Sequence, residues 1–263
     1  MSYETIEFEM RGSVAWITLN RPKSFNALNL AMAKELCDLS IRLGEDKNVR
    51  AVVMTGSGEA AYCAGGDVPS FADDLENLPV LLKEMTTYLH MAISRFAWMR
   101  APMIAAVNGV AAGAGLSMVA CTDLAIAVEG ASFTSAYTKI GLSPDGSSTY
   151  YLPRIIGTRR AAELYMTNRV LNAQEALDWG LINKIVPAAD LLSEAEKLAN
   201  QLADSATEAM GAVKEMLLTS TTDSLESQME RETRNIARLG GTADGREGID
   251  AFLNKRKPAF TGS

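Results

Sequence analysis

"PMIAAVNGVAAGAGLSMVACTDLAIAVEG", residues 102–130, reads as a strand, a loop of tiny residues feeding a helix, and a second strand. The two apolar runs are short and bounded by turn residues, as strands are, while the run between them carries too many small residues to pack as either end does. Working back toward the N-terminus, VRAVVMTG (49–56) reads as a buried strand, followed by the glycine-rich AAYCAGGDVPS and a long helical region over about 75–100. Strand, loop and helix thus recur at least three times with short connections. That predicts a layered α/β domain whose loops gather at one end of the sheet.

The ends of the chain fit around this centre. YETIEFEM and VAWITLN alternate apolar and polar residues on either side of Arg11, Gly12 and Ser13, which predicts a hairpin. RPKSFNALN breaks the pattern before a helix from Leu30 to Leu43, stopped by Gly44. Asn172 with Glu175 three residues later has the form of a capping box opening the helix AQEALDWG. Pro187 ends the last strand, INKIVP, and beyond it only amphipathic helical patterns remain. The expected division is an α/β core over 1–187 and a helical region over 188–263.

Composition removes several classes of function. A chain of 263 residues with 48% hydrophobic and 22% charged residues is long enough to bury a core and has the make-up of a soluble globular protein. No apolar run approaches the ~20 residues of a membrane span, and MSYETIEFEM lacks the basic start and apolar middle of a secretory signal, so a cytoplasmic location is expected. A net charge of -7 argues against nucleic acid, although Lys255, Arg256 and Lys257 form one local basic cluster. Cys37, Cys63 and Cys121 are scattered and without CxxC spacing, which suggests buried filler and no metal or disulfide framework. One histidine, His90, excludes paired-histidine metal motifs and multi-histidine relays. Gly113 and Gly115 are followed by Met118 where a dinucleotide fingerprint needs its third glycine, and GLSPDG has the wrong spacing for a nucleophile elbow.

What AAYCAGGD (60–67) and VNGVAAGAGLS (107–117) can do follows from what they lack. Small side chains let a ligand reach the backbone, where N–H groups are the only donors, and two such groups on one carbonyl oxygen make an oxyanion hole. Tight packing against neighbouring helices is the alternative. The stretches LNRPKSFNAL, YCAGGDV, PMIAAVNGVAAGAG to ACTDLAIA, FTSAYTKIGLSPDGSSTYYLPRIIG and NAQEALDWGLINKIV resemble the crotonase, or enoyl-CoA hydratase/isomerase, superfamily over nearly the whole chain. The resemblance implies a spiral of ββα turns, a C-terminal helical region that builds trimers or dimers of trimers, and an acyl-CoA thioester as substrate with no further cofactor. It places the N–H groups of Gly66 and Ala114 on the thioester oxygen, and it places Lys23, Ala27, Ala64, Gly65, Asp67 and Val68 along the CoA. Lys257 and Phe260 resemble C-terminal residues that can reach a neighbouring subunit's nucleotide.

The hydratases of that family use two glutamates, and this chain has Ser117 and Tyr137 in their places, so water addition by two carboxylates is not expected. Asp145 is the remaining acid. Ser-Pro-Asp-Gly is turn chemistry and aspartate is a favoured helix N-cap, so the residues alone leave it a cap or the acid of the site. Two branches of the family carry a catalytic aspartate at this position. One is the phenylacetate-pathway isomerase type, resembled also by DGREGIDAFLNKRKPAFTG; the other is 4-chlorobenzoyl-CoA dehalogenase, resembled by SSTYYLPRIIGTRRAAELYMTNR and by His90. The first implies that Asp145 shuttles a proton between the α- and γ-carbons. The second implies that Asp145 attacks the ring and His90 activates water, with Tyr137 replacing a tryptophan that donates to the nucleophile.

Overall fold

A computed structural model describes residues 3–263. In chain order the elements begin with β1 (Ile6–Arg11), β2 (Val14–Leu19), α1 (Leu30–Glu45), β3 (Ala51–Gly56), β4 (Ala61–Cys63), α2 (Val68–Phe71) and α3 (Leu78–Trp98). They continue with β5 (Met103–Val107), β6 (Val110–Ala112), α4 (Ala114–Ala120), β7 (Leu124–Val128), β8 (Ser132–Thr134), α5 (Ser148–Ile156) and α6 (Thr158–Thr167). The last are β9 (Val170–Asn172), α7 (Ala173–Asp178), β10 (Lys184–Val186), α8 (Leu191–Ala203), α9 (Thr207–Thr219), α10 (Leu225–Gly240) and α11 (Ala243–Leu253).

Two sheets organise the chain, ordered β1-β2-β3-β5-β7-β10 and β4-β6-β8-β9. Each turn of the spiral gives a longer strand to the first sheet, a three-residue strand to the second, and then a helix: β3, β4, α3; β5, β6, α4; β7, β8, α5. From β2 to β10 the first sheet is parallel, and only the edge hairpin β1–β2 is antiparallel. Every residue of β3 and β5 is buried, as befits parallel strands covered on both faces. Part of that cover comes from beyond Pro187: α8 lies along β2, β3, β5 and β7, with Leu191, Ala195, Ala199 and Ala203 buried at four-residue spacing. Alanines on that face let the helix sit close to the strands.

Three local expectations are modified. The helical region over 75–100 is α3, Leu78–Trp98, and an unexpected one-turn helix, α2, precedes it at Val68–Phe71. β1 keeps only Ile6 buried, and Phe8 and Met10 are exposed, because as an edge strand it has no second layer over it. The basic cluster at 255–257 is partly neutralised, since Arg256 pairs with Glu247 and with Asp250. The capping box stands as expected, with the Asn172 side chain accepting from the Glu175 N–H and the Glu175 carboxylate from the Asn172 N–H. No helix among the described residues is long and apolar enough to cross a membrane.

Candidate active site

Loop RPKSFNAL builds one wall of the site through Asn26. Its side-chain amide donates to the carbonyls of Ser57 (2.9 Å) and Ala61 (2.8 Å) and its Oδ1 accepts from the Arg21 N–H, tying three segments together. Leu28 then pairs with the glycine loop: its N–H donates to Gly65 O (2.7 Å) and its carbonyl accepts from the Asp67 N–H (2.9 Å). These bonds straddle Gly66, whose own N–H stays outside the pairing. Opposite, Ala114 is the first residue of α4, so its N–H has no partner within the helix. Both residues line one cavity of about 360 Å³.

The two small-residue loops meet with no room for more. A Cβ on Gly115 would stand 2.0 Å from the Cys63 carbonyl oxygen, and Gly113 turns into α4 at φ +51°, a conformation that costs a residue with a side chain. Cys63 is fully buried beneath, and burial pushes its thiol up to about 11, so it stays protonated. Among the described residues no group of three histidines, cysteines or acids is gathered to hold a metal ion.

Asp145 enters the cavity from the loop before α5, and it is not a cap. The N-cap of α5 is Ser147, and no side chain caps that helix. Asp145 Oδ1 instead lies 2.8 Å from His90 Nε2 on α3. The loop is gripped through the Asp145 carbonyl, which accepts from Ser117 Oγ at 2.8 Å and from Ser148 Oγ at 3.0 Å. Tyr137 supports the grip, its hydroxyl 3.3 Å from Ser117 Oγ and 3.4 Å from the same carbonyl oxygen. Gly146 follows at φ +63° and rests on the serine: a Cβ there would be 2.9 Å from Ser117 Cβ. The two positions that resemble the glutamates of hydratases therefore fix the backbone that carries Asp145.

The electrostatics are simple. The hydrogen bond that His90 Nε2 donates to the Asp145 carboxylate raises the His90 pKa, with partial burial opposing it. Burial pushes the Tyr137 phenol well above its ordinary value, so it remains a neutral donor. Among the described residues Asp145 is the only carboxylate lining the cavity, whose other walls include Leu28, Phe71, Leu82, Met85, Leu89 and Ile140.

Of the residues expected at the site, the cavity gathers Ala64, Gly65, Gly66, Val68, Ala114, Tyr137 and Asp145. It does not gather Lys23, Ala27 or Asp67, and the buried Asp67 carboxylate is held by Arg21 at 2.6 Å. Lys257 and Phe260 lie outside it as well; the Phe260 carbonyl is bound by Arg50 (3.0 Å), which also holds Ser205 O and Thr207 Oγ1. His90 touches Asp145 without lining the cavity. Sequence reasoning missed Ser117 and Ser148 as holders of the Asp145 loop, and missed Lys83 and Lys139 in the lining. A signal existed only for Ser117, as the residue in a glutamate's place.

The family described as enoyl-CoA hydratase/isomerase matches residues 9–263. A Rhodobacter capsulatus protein named as a probable enoyl-CoA hydratase is 40% identical over 262 residues, 100% of both chains. Escherichia coli 1,2-epoxyphenylacetyl-CoA isomerase is 36% identical across 98% of this chain and 99% of its own. An Arthrobacter 4-chlorobenzoyl coenzyme A dehalogenase is also 36% identical, across 95% of this chain and 91% of its own. The crystal structure of an enoyl-CoA hydratase from Bacillus anthracis superposes with a TM-score of 0.93 at 32% identity, covering 99% of this chain and 100% of that one.

Proposed function

We infer that this chain, which belongs to the enoyl-CoA hydratase/isomerase family and has the crotonase fold, moves the double bond of an enoyl-CoA thioester between the 3- and 2-positions. The observation that carries this is that the described residues put a single carboxylate, Asp145, in the cavity lining. Adding water across a double bond needs one group to take a proton from water and another to give one to carbon. With the hydroxyls of Ser117 and Tyr137 turned to the Asp145 backbone, one acid remains, and one acid suffices to carry a proton from one carbon to another.

In this mechanism the N–H groups of Gly66 and Ala114 hold the thioester oxygen and stabilise the charge that develops there when the α-proton leaves, an effect worth about 3 to 4 kcal/mol per lost donor. The carboxylate of Asp145 takes that proton, breaking the Cα–H bond, and the electrons move into a dienolate. The carboxylic acid then protonates the γ-carbon, and the double bond ends at the 2-position. Apolar walls keep competing water away from the dienolate. Lys83 and Lys139 place positive charge at the rim, which suits the anionic CoA. Copies of the chain assemble through the exposed apolar residues of the last helices, among them Leu217, Ile236 and Phe252.

Conversion of a 3-enoyl-CoA to the 2-enoyl form, followed by double-bond position, is the test. Asp145→Asn lowers the rate about 10²- to 10⁴-fold, the range for removal of a positioned acid–base group, with binding of CoA esters retained. A folded wild-type protein that binds the substrate without converting it refutes the proposal.

A second reading is favoured by the His90–Asp145 contact: hydrolytic dehalogenation of a 4-halobenzoyl-CoA, with Asp145 as nucleophile and His90 activating water. Against it stands Tyr137, whose hydroxyl faces the Asp145 carbonyl oxygen, whereas the dehalogenase branch has a donor to the attacking carboxylate. Halide release distinguishes the two. Binding of CoA esters with neither reaction would mark a non-catalytic member.

A further inference from the structure

Asp145 stands in a partition. On one side is the cavity lined by Gly66, Ala114 and Asp145; on the other is an open groove of about 260 Å³ between α3 and α5, lined by His90, Ser94, Trp98, Ser147, Tyr150 and Leu218. Consecutive residues of α3 face opposite ways, Leu89 lining the cavity and His90 the groove. The contact through the partition is the 2.8 Å hydrogen bond between Asp145 Oδ1 and His90 Nε2. The His90 side chain is 52% exposed and that of Asp145 is 29% exposed. Among the described residues His90 Nδ1 has no hydrogen-bonded protein partner, and His90 lines the groove.

We propose that His90 is a proton relay between Asp145 and solvent, so that the proton removed from the α-carbon is exchanged before the γ-carbon is protonated. This deepens the isomerase reading and rests on it. The balance is one proton out and one in. Asp145 becomes a carboxylic acid on taking the α-proton. It passes that proton to Nε2 of neutral His90 in its Nδ1–H tautomer, leaving carboxylate beside imidazolium; the half-exposed ring then turns about Cβ–Cγ, so that Nε2–H leaves Asp145 and exchanges with groove water. A solvent-derived proton returns from Nε2 to Asp145 and from there to the γ-carbon. The hydrogen bond that raises the His90 pKa favours the imidazolium–carboxylate stage and gives exchange time to occur. Imidazole suits this place because Nε2 can accept a proton from Asp145 and, as imidazolium, give one back.

The experiment is conversion of a 3-enoyl-CoA in deuterated water, with the deuterium content of the product γ-carbon read by mass spectrometry. The wild type yields mostly γ-deuterated product. His90→Gln keeps a hydrogen bond to Asp145 but cannot relay; it converts substrate more slowly, and its product carries about fivefold less deuterium or lower still. His90→Ala behaves likewise and regains deuterium when free imidazole is added, a response that a purely structural histidine does not give. Wild-type product that keeps the substrate proton, or His90→Gln product labelled as fully as the wild type's, overturns the relay and leaves the isomerase reading standing. No conversion by the wild type overturns both.

Discussion

The two sides of the candidate site are made in opposite ways. One side, residues 64–66 and 113–115, is bare backbone, and its shape comes from side chains that are missing: at Gly115 even a methyl would meet a carbonyl oxygen at 2.0 Å. The other side, residues 143–148, is positioned by side chains that are present, through hydroxyls from α4 and α5 and the imidazole on α3. Steric exclusion acts all or none, whereas several hydrogen bonds to one carbonyl share a load. The bare side should therefore fail abruptly when changed, and the clamped side should yield by degrees.

That contrast can be broken by measurement. Gly115→Ala forces β4 away from α4 and is expected to cost about 3 kcal/mol, at the upper end of overpacking effects. Urea unfolding reads this as a lower midpoint, and an unchanged midpoint would mean that the loops have slack. Ser117→Ala removes one of the hydroxyls on the Asp145 carbonyl and should cost only about 1 kcal/mol, seen as a several-fold lower kcat at unchanged KM. Should it instead abolish turnover, the load is not shared. The smallest effect is on His90, whose single resonance in the proton NMR spectrum should titrate above about 6.5, the value of a free histidine, and drop in Asp145→Asn. A raised folded-state pKa makes the pair stabilising below the unfolded-state value, with the benefit lost as pH rises through the folded-state value. With His90 half exposed the benefit is about 1 kcal/mol or less, so the melting-temperature difference between wild type and Asp145→Asn should shrink as pH rises through that window.

What the sequence discloses of all this divides along the same line. VRAVVMTG, MIAAV and LAIAV are legible as buried strands because their pattern is local, and the capping box at Asn172 is legible because both partners lie within one turn. The glycine loops are legible as stretches without side chains, which the residues alone leave open to tight packing or to a ligand. The local spelling at Asp145 misleads, since Ser-Pro-Asp-Gly favours a turn and a cap, and its partner is 55 residues away on another helix. His90 is equally silent, lying on the outer side of α3 away from Met85, Leu89, Ala92 and Phe96, so periodicity marks it only as a surface position. Ser117 could be recognised as a departure from the glutamates of hydratases, but its bond to the Asp145 carbonyl appears only when α4 and the loop before α5 meet in space.

The position of α8 also constrains how the protein can be made. Strands β2, β3, β5 and β7 are all synthesised before residue 129, yet the alanine face that covers them arrives only with residues 191–203. On the ribosome a largely apolar parallel sheet therefore waits, through some sixty residues of further synthesis, for the helix that seals it, and non-local closure of this kind is slow and prone to aggregation. The chain's most vulnerable moment comes near the end of translation, and a nascent chain arrested just short of α8 is a natural client for chaperones that shield apolar surface.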